Sequence, residues 1–397
     1  MRLIGKFPMR SGHNPRILEV GNPRSDYPAI RDAAWRLLDA GHVHEALRAT
    51  YERLLVDEYQ DCSRAQHAMV ACVARVLPTC VLGDPMQAIF GFNGNPLVDW
   101  QADVESEFPG IGTLQTPWRW RLAGTENLGN WLLAARTQLQ AGHPVDLRGA
   151  PSEVEWVRLA PEAAHEQRRR AAGVPPPTKE GTVLVIGDAM DVQGRHLLTS
   201  QIPGATAVEA VDLVDLVRFA GQFDPTSPDA LRNLLFFAAN LMTAVDAKGL
   251  MARVETIRQG RARTPPNPTE NAAVAFANAP SASGARLLLQ RLADNAGARV
   301  YRPEVLRCLV TALGMAAHET CTLQAAVLKI REKNRHLGRS LPRRAVGSTL
   351  LLKGLEADVA VVLHPERMTA QHLYVALTRG ARRVVVCSAS PVLQPAR

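Results

Sequence analysis

The chain has no run of eighteen apolar residues, so nothing in it reads as a membrane-spanning helix, and its first residues lack the apolar core of a secretory signal. Its six cysteines form no C-x-x-C pair. Cys62, Cys72 and Cys80 lie near one another without metal-ligand spacing, which argues for reduced, buried thiols rather than a metal site or disulfide framework. Lysine is scarce, supplying six of the 46 basic residues, so arginine carries nearly all the positive charge. Neither an internal repeat nor a long low-complexity tract occurs. These absences leave a soluble, cytoplasmic, globular protein with no membrane partner as the expectation.

What is present fits that class. A chain of 397 residues has room for two or three domains and a sizeable core, and 46% apolar content is ordinary. The net charge of +8, from 46 basic and 38 acidic residues, favours a polyanionic partner such as nucleic acid. The plainer reading of the arginine surplus is genomic base composition.

Hydrophobic spacing predicts an amphipathic helical segment over 26–50, a short strand at 53–56 and a helix capped by Ser63, whose apolar face carries Ala65, Ala68, Met69, Cys72, Val73, Val76 and Leu77. A second short strand is expected at 79–82. Strand, helix, strand with polar groups at the carboxyl ends is the pattern of a parallel α/β sheet, whose ligands bind outside those ends. Further on, 112–120 reads as a strand opening a second α/β unit, 171–181 as a proline-rich connector and 182–188 as a buried strand. A mostly helical stretch runs from about 205 to 340. Sheet-like runs return at 346–363 and 382–387, separated by a helix near 370–379.

The most informative stretch is LLVDEYQD at 54–61. Adjacent carboxylates repel, so placing two directly behind an apolar strand makes sense where the strand lifts Asp57 and Glu58 into a cleft holding a cation and a phosphate. A solvated strand end or a helix-capping cluster is the rival for this segment alone. Downstream, GDPMQAIFGF, PWRW, KGLE and LYVALTRGARR follow in that order.

In these five blocks, over about 50–135 and again about 345–390, the chain resembles the UvrD/Rep-type superfamily 1 DNA helicases. The resemblance implies an α/β fold of two RecA-like lobes with parallel sheets, the first lobe incomplete, and a mostly helical insertion. Its expected divisions are 1–110 for the partial first lobe, 111–204 and 341–397 for the two parts of the second, and 205–340 for the insertion. It also implies ATP and Mg²⁺ as cofactors, single-stranded DNA as partner and 3′ to 5′ movement.

Residue roles follow from the same resemblance. Asp57 holds Mg²⁺ through water, since this ion keeps several waters and takes few carboxylates. Glu58 orients and deprotonates the attacking water, and Gln87 bonds that water and a γ-phosphate oxygen. Arg119 and Arg379 are arginine fingers, whose planar, permanently charged forks suit phosphate and are typically worth about 10³–10⁵ in rate. Gly354 lets the backbone approach phosphate and Glu356 bonds the ribose. Phe90 and Phe92 stack on bases, and Ser348 stands where the family usually has a DNA-contacting Thr. The rivals are a turn role for Gln87, exposed structural arginines at 119 and 379, and core positions for the two phenylalanines.

The chain departs from the family pattern in three places. Asn93 replaces an Arg that often follows the aromatics, and Leu350 stands where many members have His. The first block, the phosphate loop G-x-x-x-x-G-K-[ST], is absent; Gly5 and Lys6 in IGKFP come nearest, with Phe7 in place of the hydroxyl residue. A truncated product or mis-set start is the expected cause, with a partner half on a separate polypeptide or degeneration as alternatives. The expected function is an ATP-dependent helicase or translocase that turns over slowly or not at all alone. A non-catalytic nucleic-acid-binding adaptor, docking on a nuclease, is the alternative, and an α/β ATPase acting on protein is a second. The basic stretch 329–344 is open between a DNA-tracking surface and a solvated helix face with a linker.

Overall fold

The computed structural model describes residues 23–91, 96–318, 321–334 and 342–396. Its largest sheet has six strands: β4 (Val154–Arg158), β5 (Val183–Ile186), β6 (Ala205–Ala207), β7 (Arg344–Gly347), β8 (Ala357–Val362) and β9 (Gly380–Ser388). They lie in the order β4-β9-β8-β5-β7-β6, with every neighbouring pair parallel. Two strands earlier in the chain, β1 (Leu54–Val56) and β2 (Thr79–Val81), form a separate parallel pair. A short antiparallel pair joins β3 (Val145–Asp146) to β10 (Val392–Leu393). With helices throughout, this is an α/β protein with RecA-like sheets.

The sequence of the large sheet explains its burial. Alternate side chains of a strand point to opposite faces, and here both faces are covered. Leu184, Ile186, Ala360, Val362, Val384 and Val386 enter one core. Val183, Val185, Val359, Val361, Val385 and Cys387 enter the other. Unbroken apolar runs such as VLVI are what such two-sided burial requires. Each fully buried Val, Leu or Ile contributes about 1.5–3 kcal/mol relative to exposure.

Seven helices between Val214 and Asn334 leave the sheet after β6 and return the chain at β7, the strand next to it. They enclose a core of their own, centred on Leu234, Phe276, Leu289 and Leu309. Two arginines fasten this helical unit to the sheet. Arg299 donates to the carbonyls of Ala205, Thr199 and Ser200 at 2.8, 3.0 and 2.7 Å. Arg302, 2% exposed, forks onto Glu209 at 2.7 and 2.8 Å and reaches Asp215 at 2.6 Å.

Several expectations are met. Ser63 caps the helix Arg64–Ala74 in a full capping box with Gln66, and the pair β1–β2 falls where strands were expected. The strand expected over 112–120 does not form. Residues 112–117 have no regular structure, and a helix spans Trp118–Ala123. The helix and the N-cap residue of the next one satisfy backbone groups of β9: Trp120 Nε1 donates to the Gly380 carbonyl at 2.9 Å, and Thr125 Oγ1 to that of Ala381 at 2.6 Å. Pro117, which has no N–H for a ladder, sits where the helix begins. The run expected as sheet over 346–363 is two strands split by a one-turn helix, Thr349–Leu352. The edge strand β4 was not anticipated.

Candidate functional site

The carboxyl ends of β1 and β2 lie side by side, so the acids of DEYQD face the GDPMQ turn. Asp57 Oδ1 accepts the Glu58 backbone N–H at 2.8 Å. Glu58 adopts a left-handed backbone with φ of 53°, a conformation that costs a non-glycine residue free energy and recurs at functional sites. Gln60, buried between the strand ends, donates from Nε2 to Glu58 Oε2 at 2.5 Å and accepts the Asp84 N–H at 3.0 Å. Gly83 makes this approach possible, because a Cβ there would lie 2.7 Å from Gln60 Oε1 and 2.8 Å from the Trp100 ring.

Asp84 organises the turn after β2. Its carboxylate accepts the Met86 N–H at 3.0 Å and the Gln87 amide at 3.3 Å. It also pairs with Arg136 at 2.8 Å, on the helix Glu126–Gln140. Burial alone would draw the Arg136 guanidinium down, but the bonds and charge of Asp84 hold it above its ordinary value. The Tyr374 phenol beside them is pushed up to about 12, by burial and then by Asp84, so it stays neutral. Met86, carried by this turn, is buried in the core of the large sheet. An open groove of about 2230 Å³ runs along these groups, lined by Asp57, Glu58, Asp84, Gln87, Arg136 and Tyr374.

Opposite the turn stands Arg379, 4% exposed, at the end of the helix Ala370–Leu377. Its guanidinium donates to the Val375 carbonyl at 2.9 Å, the Leu355 carbonyl at 3.3 Å, Thr378 Oγ1 at 3.1 Å and Gln87 Oε1 at 3.5 Å. Among the described residues no carboxylate pairs with it. Burial, then the nearby Arg119, lower it to about 10, against the opposing pull of Glu356 and Glu58. Arg119 donates to the Thr378 carbonyl at 2.8 Å and pairs with Glu356. Gly354, two residues before Glu356, has φ of 78°, and a Cβ there would meet nothing within 4 Å.

Lys353 joins the two sides. Its ammonium donates to Asp61 and to the Gln87 carbonyl at 2.6 Å, lies 3.7 Å from Glu58 Oε2 and sits 5.0 Å from the centre of the Phe90 ring. Burial raises the Asp61 carboxyl; Lys353 opposes this and Glu58 adds to it.

The structure thus gathers Asp57, Glu58 and Gln87 along one groove and sets Arg379 against Gln87, with Arg119 and Glu356 behind it. Phe90 is half-exposed beside Lys353. Phe92 and Asn93 lie outside the described residues, as do Gly5, Lys6 and Phe7 and part of the basic stretch 329–344. Ser348 is buried, and its hydroxyl accepts the Leu351 N–H at 3.4 Å as the cap of a helical turn. Asp61, Asp84 and Lys353 were missed although all three stand inside the motifs. Gln60 and Tyr374 also lie inside the motifs, whereas Arg136 sits on the helix Glu126–Gln140, outside all of them.

Among the described residues no group of three or more His, Cys, Asp or Glu stands ready as a metal centre. Mg²⁺ needs none, since it is commonly held by one or two carboxylates, waters and substrate phosphates. A buried guanidinium hydrogen-bonded only to neutral acceptors, an open glycine and exposed carboxylates at strand ends fit a nucleotide's phosphates with such an ion.

These features define an α/β protein whose candidate ligand site lies at the carboxyl ends of its strands. Residues 23–98 match the family model of the UvrD/REP helicase N-terminal domain. The match supports a UvrD-like helicase family, and it begins before the first block recognised in the sequence, taking in the helix Pro23–Asp39. The blocks KGLE and LYVALTRGARR lie beyond it. No curated protein matches the chain.

Proposed function

We propose that the chain is an ATP-binding motor subunit of the UvrD/Rep type that acts on single-stranded DNA. The observation that carries this reading is Arg379, a buried guanidinium without a carboxylate partner, whose fork reaches the amide of Gln87. A buried charge left uncompensated costs several kcal/mol, and an incoming phosphate removes that cost. Residues 1–110 form the first lobe in this reading, 111–204 and 341–397 the two parts of the second, and 205–340 the accessory helical insertion.

In this reading Asp57 would hold Mg²⁺, whose charge would offset that of the bound phosphates. Glu58 takes a proton from the attacking water, which Gln87 orients. Arg379, with Arg119 beside it, stabilises charge on the transferred phosphoryl group. Gly354 admits the phosphates to the backbone and Glu356 bonds the ribose, which requires it to leave Arg119. Phe90 and Phe92 stack on bases, a contact tolerant of sequence, and Ser348 approaches the DNA only if its cap opens. The 397 residues contain no G-x-x-x-x-G-K-[ST] loop. Phosphoryl transfer depends almost wholly on positioning and electrostatics, so turnover by this chain is expected to match that of its Glu58→Gln variant.

The test is binding of a labelled oligothymidine by fluorescence anisotropy, alone and with ATP or ADP. The proposal expects binding that weakens with salt and differs between the two nucleotides. Binding that ignores nucleotide points to the adaptor. No binding at all points to an ATPase acting on protein.

A further inference from the structure

We infer that Lys353 is a positioning residue that couples the base-stacking side of the site to its hydrolytic side; this rests on the function proposed above. One ammonium, with a side chain only 4% exposed, meets four groups from the segment 58–90. Asp61 takes one of its hydrogens and the Gln87 carbonyl a second, at 2.6 Å. The third is left for Glu58, whose Oε2 lies 3.7 Å away, or for the face of Phe90, whose centre is 5.0 Å away. Lysine has three donors and no more, so carboxylate and ring share one position.

Gln87 is therefore gripped twice from the KGLE and LTRG segments: by Lys353 at its backbone oxygen and by Arg379 at its amide oxygen. Phe90 follows three residues later on the same strip of chain. A base stacking on Phe90 draws the ring from the ammonium and frees that cation for Glu58. Moving Glu58 or Gln87 onto a nucleotide releases the cation to the ring. Base stacking and nucleotide contact thus oppose each other, because each leaves the buried charge to hold the other's side chain and both together leave it short of a partner. Asp61 anchors that charge: its Oδ2 accepts from Lys353, while its Oδ1 is buried with no partner.

The experiment measures the ratio of oligothymidine affinities with ATP and with ADP. In the unaltered chain the ratio is expected to differ from unity by about fivefold or more, the usual scale of coupling between sites. Lys353→Met brings it to about one. The double variant Lys353→Met/Asp61→Asn removes both buried charges, so it folds where the single variant does not, and it too has a ratio near one. Lys353→Arg, which keeps the charge, restores part of the effect. A ratio that survives in either Met-containing variant overturns the inference and leaves the proposed function standing. An unaltered chain with equal affinities overturns both.

Discussion

Arg136 and Asp84 form an ion pair at 2.8 Å that fastens the helix Glu126–Gln140 to the turn after β2. Both side chains are mostly buried, and Asp84 also holds Met86 and Gln87. Removing the cation leaves a carboxylate with two weaker donors. Arg136→Met is expected to lower stability by about 2–3 kcal/mol, read as a shift of the urea midpoint at unchanged slope. Adding Asp84→Asn should recover part of the loss; full additivity of the two changes would contradict a direct pair.

The buried fork of Arg302 on Glu209 predicts a larger effect. Both side chains are more than nine-tenths buried, and losing one partner of such a pair costs about 3–5 kcal/mol. Arg302→Met should therefore destabilise the junction between the helical unit and β6 more than Arg136→Met affects the turn. Hydrogen exchange at β6 and in the helix Val214–Gln222 checks the location: protection should fall there first.

Acid sensitivity follows from His196 and His372. Burial, then Arg302, lowers the His196 imidazole from its ordinary value of 6.5, with Glu209 opposing; burial alone lowers His372. Below about 6.5 the unfolded chain takes up protons that the folded chain refuses, so their contribution is complete above that value and is lost as pH falls towards the folded values. The raised Asp61 carboxyl works in the opposite sense at lower pH, because there the folded chain holds the extra proton. The melting temperature should drop between about pH 7.5 and pH 6, and His196→Gln should reduce the drop. A flat profile in the unaltered chain would contradict the burial of both imidazoles as neutral groups.

Local features were the legible ones. The capping box of Ser63 and Gln66 and the run VLVI each carry their structural reason within a few residues. The site's motifs were legible as blocks, but not their cross-links. Asp84 and Arg136 are 52 residues apart, and Asp61 and Lys353 are 292 apart; a sequence does not announce which buried cation meets which carboxylate. The strand expected at 112–120 failed because Pro117 opens a helix there and the exposed Leu114 packs against no sheet. Periodicity failed at β4, whose Glu155 and Arg158 dilute the apolar signal of an edge strand.

The relationship of Arg379 to Gln87 gives the most direct measurement, the affinities of the chain for a non-hydrolysable ATP analogue and for ADP by calorimetry. Hydrogen bonds to charged groups contribute about 1.5–3 kcal/mol, so the analogue should bind about tenfold tighter or more, and Arg379→Ala should erase that margin. Equal affinities in the unaltered chain, or a preference that persists in Arg379→Ala, would contradict a γ-phosphate at this guanidinium.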